Sequence, residues 1–259
     1  MIAFPSYFPG TSDCCDAPDW TRQRVRRALR VLWALGTVSF SSGAWADEPY
    51  VTDEAAILER GTCQVQAGKR TLRGSREWYL LPACNLIADV EITVGRSGSS
   101  GPGDEHNIDN VVHAKGVWRA LEPNRFGYGW AVGGEFRRHP REGERRGHDY
   151  FGTLLGSRSF FDDRLIVHAN LGGRWLRDEN RGALTGAILV ELALTERLAV
   201  LAETYDSSRS RRARQAGVRF DVVPEHVMLH FTVGGDARDF NATRSWAMGM
   251  QFVAPVLNR

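Results

Sequence analysis

From about residue 63 to residue 256 the chain alternates apolar and polar side chains with a period of two. The clearest stretch is Phe126-Gly-Tyr-Gly-Trp-Ala-Val-Gly-Gly-Glu-Phe-Arg137, in which Phe126, Tyr128, Trp130, Val132 and Phe136 share one parity. Gly127, Gly129, Ala131, Gly133, Glu135 and Arg137 share the other. Successive side chains of a strand point to opposite faces, so this segment has one large apolar face and one that is small, then charged. The dyad returns near 63–73, 77–86, 89–97, 108–121, 126–138, 149–161, 164–177, 183–194, 198–206, 215–223, 227–235 and 245–256, with no helical segment to cover the apolar face. Strands read this way when one face meets lipid and the other lines a lumen. The pattern therefore predicts an all-β chain, an antiparallel transmembrane β-barrel of about 12 strands.

The connections alternate in length. Ala88-Asp89, Glu122 to Arg125, Asp162-Asp163, Thr195 to Arg197 and Pro224 to His226 are tight, whereas Ser97 to Asn107, His139 to His148, Asp178 to Gly182, Ser207 to Arg214 and Asp236 to Arg244 are longer and polar. Short periplasmic turns and longer extracellular loops are the two ends of an outer-membrane barrel. With strands laid alternately up and down, Trp78, Phe151, Trp175 and Trp246 fall near the loop end and Trp118, Tyr128, Phe160, Phe220 and Phe252 near the turn end. Two aromatic girdles are what two membrane interfaces select.

Upstream, Arg22, Arg24, Arg26, Arg27 and Arg30 lead into Val31-Leu-Trp-Ala-Leu-Gly-Thr-Val-Ser-Phe40 and then Ala44-Trp-Ala46. These are the basic region, apolar region and cleavage site of a secretory signal peptide. The expected organisation is a signal peptide over 1–46, a periplasmic N-terminal segment over 47–62 and the barrel over 63–259. Residues 1–21 fit no part of a signal peptide; if translation starts downstream of Met1, the start is a non-Met codon such as that of Val25 or Leu29, since the next methionine is Met228. Cys14 and Cys15 precede the apolar region and are not expected in the mature chain.

Of 33 basic and 31 acidic residues, residues 1–46 hold five Arg and three Asp, which leaves 28 of each. A formally neutral mature chain lacks the basic excess of a nucleic-acid-binding protein, and no linker divides it. The expected surroundings are the outer membrane of a Gram-negative bacterium, its lipid and lipopolysaccharide, the barrel-assembly machinery and a small solute.

Cys63 and Cys84 have their midpoint at the first hairpin turn, so they face each other across adjacent antiparallel strands. In an exported chain this favours a disulfide near the periplasmic rim over two free thiols. The same register sets Arg70 opposite Glu77. The inward parity is heavily ionisable: Arg70, Glu77, Glu91, His113, Lys115, Arg119, Glu135, Arg137, Arg158, His168, Asn170, Arg174, Glu191, Glu203, Arg219, Asp221 and His230. Such a lining is either a narrow polar solute path or an ion-pair network that fills a small barrel.

Arg209, Arg211, Arg212 and Arg214 lie in a basic loop on the outer side, which is either solvated or placed to fork onto lipopolysaccharide phosphates. The seven histidines include no HExxH motif on a helix, so no metal or cofactor is expected. His168 and Asn170, with Ser157 and Ser159 nearby, only faintly outline a membrane-bound hydrolase. The expectation is a channel and not an enzyme, with a closed-lumen structural or lipopolysaccharide-binding barrel as the alternative.

Asp47-Glu-Pro-Tyr-Val-Thr-Asp-Glu-Ala55 and Gly61-Thr-Cys-Gln-Val65 resemble the entry segment of bacterial outer-membrane barrels grouped as transporters of the MetA-pathway phenol-degradation type. The resemblance spans about twenty residues and implies passage of small, often apolar, organic compounds.

Overall fold

Period-two alternation becomes twelve strands because every backbone N–H and C=O inside a membrane must be paired, and a closed ring of strands pairs them without leaving an edge. The computed structural model describes residues 51–255 apart from 73–74, 88, 102–103, 139–147, 177–180 and 209. Its strands are β1 (Thr62–Leu72), β2 (Ser75–Ile87), β3 (Val90–Gly101), β4 (Asp104–Arg119), β5 (Phe126–Arg138), β6 (His148–Phe160), β7 (Leu165–Leu176), β8 (Arg181–Ala193), β9 (Leu198–Ser207), β10 (Ser210–Val223), β11 (Val227–Asp236) and β12 (Ser245–Pro255). Each pairs antiparallel with its sequence neighbours, and β1 closes the barrel on β12, from Thr62 opposite Pro255 to Leu72 opposite Ser245. The signal segment, its cleavage site, Cys14 and Cys15 lie outside the described residues.

Two stretches read as loops are strand instead. The β3–β4 ladder continues through Ser97 opposite Asp109 and Ser99 opposite Asn107. Likewise β10 begins at Ser210, so Arg212 and Arg214 sit on a strand and not in a basic loop. Arg212 pairs with Asp206 at 3.3 Å and Arg214 donates to the Ala237 carbonyl at 3.1 Å. Arg209 and the side chain of Arg211 lie outside the described residues. Between β11 and β12 a single helical turn, α1 (Phe240–Thr243), is capped by Asp239, whose carboxylate accepts from Ala242 N at 3.1 Å.

The barrel is apolar outside and polar inside. Leu154, Leu171 and Leu184 on β6, β7 and β8 are 56%, 66% and 70% exposed, while Gln64, Gln66, Glu91, Lys115, His168, Glu191, Glu203 and Gln251 are buried. A continuous exposed apolar belt of this kind is stable only against lipid. Trp78, Trp175 and Trp246 stand exposed at the loop end, and Trp118, Tyr128, Phe160, Phe220 and Phe252 at the turn end. Phe151 departs from the girdle assigned to it: it shares parity with buried Asp149, Leu155, Ser157 and Ser159, faces inward, and packs 5.5 Å from the His113 ring.

Cys63 and Cys84 are opposed in the β1–β2 register, with Arg70 opposite Glu77, and the two sulfurs are bonded. Both cysteines lie on the outward parity at the turn end. The bridge closes a loop of sequence separation 21, which by loop-closure entropy stabilises by about 3 kcal/mol. Cys63→Ser should lower the urea midpoint accordingly, and reductant should do the same to the wild type. Alkylation of both thiols in unfolded, unreduced protein would show that the bridge is absent.

Candidate functional site: a lumen crossed by the N-terminal segment

Residues 51–61 do not hang beneath the barrel. They run inside it, which corrects the periplasmic placement of 47–62 for the part described. Thr52, Glu54, Ala55 and Leu58 are at most 2% exposed. An extended segment outside any ladder must find other partners for its backbone groups, and the barrel wall provides them. Val51 N and Thr52 N donate to Glu203 Oε1 on β9 at 2.9 and 2.6 Å. Ala55 N donates to Ser157 Oγ on β6 at 2.9 Å, and Leu58 N to Glu91 Oε2 on β3 at 2.9 Å. Asn85 Nδ2 on β2 donates to the Leu58 carbonyl at 2.7 Å. Asn170 on β7, with its amide turned to satisfy both groups, accepts from Asp53 N and donates to Asp53 O.

Small side chains allow this strap to fit. Ala55 packs with Ala131 and Leu155, and Leu58 with Ala83 and Val253. Gly61 turns the strap into β1 with φ 83°, in the left-handed region where a side chain would be strained.

The inward ionisable groups form three clusters around the strap. In the first, Lys115 Nζ lies 3.0 Å from Asp53 Oδ1 on the strap and 4.0 Å from Glu91 Oε1. In the second, Arg174 bridges Glu135 and Asp149, the latter at 3.1 Å. In the third, Arg219 Nη1 lies 2.6 Å from Glu191 Oε2, whose other oxygen is 3.8 Å from His168 Nε2. Arg70 and Glu77 approach only to 3.9 Å. Asp221 is half-buried on the inward parity of β10. Gln215 donates to the Glu203 carboxylate from β10. His230 Nε2 meets Tyr79 Oη at 3.1 Å. Room for that pair comes from Gly68 and Gly249, where a Cβ would sit 2.3 Å from Tyr79 Oη and 2.1 Å from His230 Nε2.

Two residues assigned to the lumen are elsewhere. A β-bulge between Val117 and Arg119 adds a residue to β4, so that Arg119 lies exposed opposite outward-facing Tyr128. Arg158 shares parity with exposed Leu154 and Phe160, pairs with Phe126, and holds its guanidinium 5.3 Å from the Phe160 ring centroid. Both are near the turn end, where a long cationic side chain reaches the interface. The side chain of Arg137 lies outside the described residues.

Ser157 Oγ is 2.8 Å from His168 Nδ1, but Ser157 is 1% exposed and its oxygen already accepts the Ala55 amide. With the strap in place, no substrate carbonyl reaches it. Asp53, Asp149, Tyr79 and Gln215 are partners that charge patterning had not singled out.

Above the strap the loop half of the barrel encloses a cavity of about 370 Å³, floored by Val51 to Asp53 and walled by His113, Glu135, Phe151, Arg174 and Tyr205 among others. Its lining mixes carboxylates, cations and rings.

Closed, twelve-stranded, polar within and apolar without, the molecule is a transmembrane β-barrel of the outer-membrane class. Solved structures agree on the fold. The KdgM porin in complex with disordered oligogalacturonate aligns at TM-score 0.55 with 13% identity, over 73% of this chain and 98% of that one. The NanC porin aligns at 0.52 with 10% identity, over 73% and 98%. The COG4313 outer membrane channel from Pseudomonas putida F1 aligns at 0.50 with 12% identity, over 76% and 97%. By sequence the chain belongs to the family described as uncharacterised conserved protein UCP029691, whose profile matches residues 34–250. No curated protein matches it in sequence.

Proposed function

We propose that this protein is a passive channel for small solutes in the outer membrane of a Gram-negative bacterium, and not an enzyme. The observation that carries the reading is the cavity in the loop half, polar and charged inside a barrel whose fold is shared with porins. Phe151, Leu155 and Val111 among its lining residues offer apolar contact as well, which suits the small organic compounds that resemblance to the MetA-pathway type implies. A second reading, a closed barrel without a solute path, is favoured by the strap, whose anchors reach β2, β3, β4, β6, β7 and β9. Single-channel recording on the refolded mature chain in a planar bilayer separates the two. Discrete conductance steps are expected, and a variant lacking residues 51–60 should give larger ones. A silent bilayer with both proteins would leave the closed barrel as the function.

A further inference from the structure

The lipid-facing surface of the barrel is not uniformly apolar. On β1, β2 and β3 it carries three exposed cations at the loop end: Lys69, Arg76 and Arg96. Lys69 is on the parity opposite buried Gln64 and Gln66, Arg76 shares its parity with exposed Trp78 and Leu80, and Arg96 with exposed Ile92 and Val94. All three therefore point outward. Lys69 lies directly opposite Trp78, which in turn covers Gly98 on β3. Arg76 is opposite Ser100 and Arg96 opposite Leu80, so the cations span roughly 14 Å along the strand direction.

Among the described residues no carboxylate answers them. The described outward positions of β12, β1, β2, β3 and β4 include no Asp or Glu. The recorded side-chain partner of Arg96 is neutral, Asn110 Oδ1 at 3.1 Å. Two other outward cations at the loop end, Arg212 and Arg214 on β10, have partners in Asp206 and the Ala237 carbonyl, and at the loop ends of β6 and β7 the outward groups are Tyr150 and Trp175. A cation directed at hydrocarbon is strongly disfavoured, so these long side chains reach up to the headgroup level marked by Trp78 and Trp246, where lipid anions are concentrated. Guanidinium groups fork onto phosphate, and an ammonium adds a point charge beside them.

We propose that Lys69, Arg76 and Arg96 form a binding site for the phosphates of lipopolysaccharide, with Trp78 against the first segment of its acyl chains. The loop end faces the outer leaflet, where that lipid resides, and phosphates on one headgroup would engage cations at different heights on neighbouring strands. The site is on the outside of the wall and is independent of whether the lumen conducts.

The test is binding of purified lipopolysaccharide to the detergent-solubilised mature protein by native mass spectrometry. Parallel arms use the same lipid with its phosphates removed, and phosphatidylglycerol. The wild type should retain lipopolysaccharide, and the Lys69→Gln/Arg76→Gln/Arg96→Gln variant should bind it at least about tenfold more weakly, as expected for lost charge-assisted hydrogen bonds. The dephosphorylated lipid should bind the wild type as weakly, a comparison that needs no variant to fold. Equal binding by wild type and variant, or of both forms of the lipid, would overturn the site. Phosphatidylglycerol binding as tightly as lipopolysaccharide would overturn its assignment to that lipid.

Discussion

Leu171→Arg should cost roughly 2–4 kcal/mol of folding stability in a bilayer, as for an arginine facing mid-membrane lipid. Leu171 is near the middle of β7, 66% exposed, with Leu154 of β6 on one side and Gly186 of β8 on the other. Nothing polar on this face receives a guanidinium, and a position this far from either girdle leaves snorkelling as a partial remedy only. Thr185 on β8 is adjacent to Leu171's partner Gly186 but lines the cavity, so Thr185→Arg places the same charge in a hydrated, charged space. Folding yield into lipid vesicles, read by the heat-modifiable gel shift, should fall sharply for Leu171→Arg and little for Thr185→Arg. Equal yields would mean that the Leu154–Leu171–Leu184 face does not meet hydrocarbon, and the membrane-spanning assignment would fail with it.

The strands were legible because strand periodicity is local: each residue reports its face through its immediate neighbours. The Cys63–Cys84 register followed for the same reason, since a tight hairpin fixes its own pairing by symmetry about the turn. Arg119 was misplaced because a bulge resets parity without leaving a mark in hydropathy, and the change appears only when Val117 and Arg119 are matched to Gly129 and Tyr128. Arg158 was misplaced for a different reason. Charge does not by itself mark the lumen, because at an interface a long cation beside Phe160 is as well placed as an apolar group. The strap was not legible. Its anchors join backbone amides to carboxylates and hydroxyls 33 to 152 residues away, and nothing in Val51 to Leu58 distinguishes a segment inside the barrel from one beneath it. Glu203 and Ser157 were visible as inward-facing polar residues, but not as partners for a segment of the same chain.

That dependence of the strap on the wall leads to the second large effect, at Lys115. Its ammonium is between Asp53 and Glu91, and the side chains of Lys115 and Glu91 are each 5% exposed. Glu91 also accepts the Leu58 amide through its other oxygen, so one residue of the wall holds both the lysine and the strap. Lys115→Met keeps the bulk of the side chain and removes the charge, leaving two carboxylates facing each other. Both carboxylates border the cavity, but the Asp53 side chain is 23% exposed and that of Glu91 5%, so Asp53 is the more readily hydrated and the loss should be about 3 kcal/mol, the lower end for breaking a buried pair on one side. Adding Glu91→Gln should recover most of it, because the amide still accepts from Leu58 N and no longer repels Asp53. The urea midpoint in vesicles measures the stability, and limited proteolysis measures the strap: in Lys115→Met, residues 51–60 should be cut while the strands remain intact. A Lys115→Met protein with wild-type stability and an uncut strap would mean that the lysine does not bridge the N-terminal segment to β3, and the occupied lumen would have to be described without it.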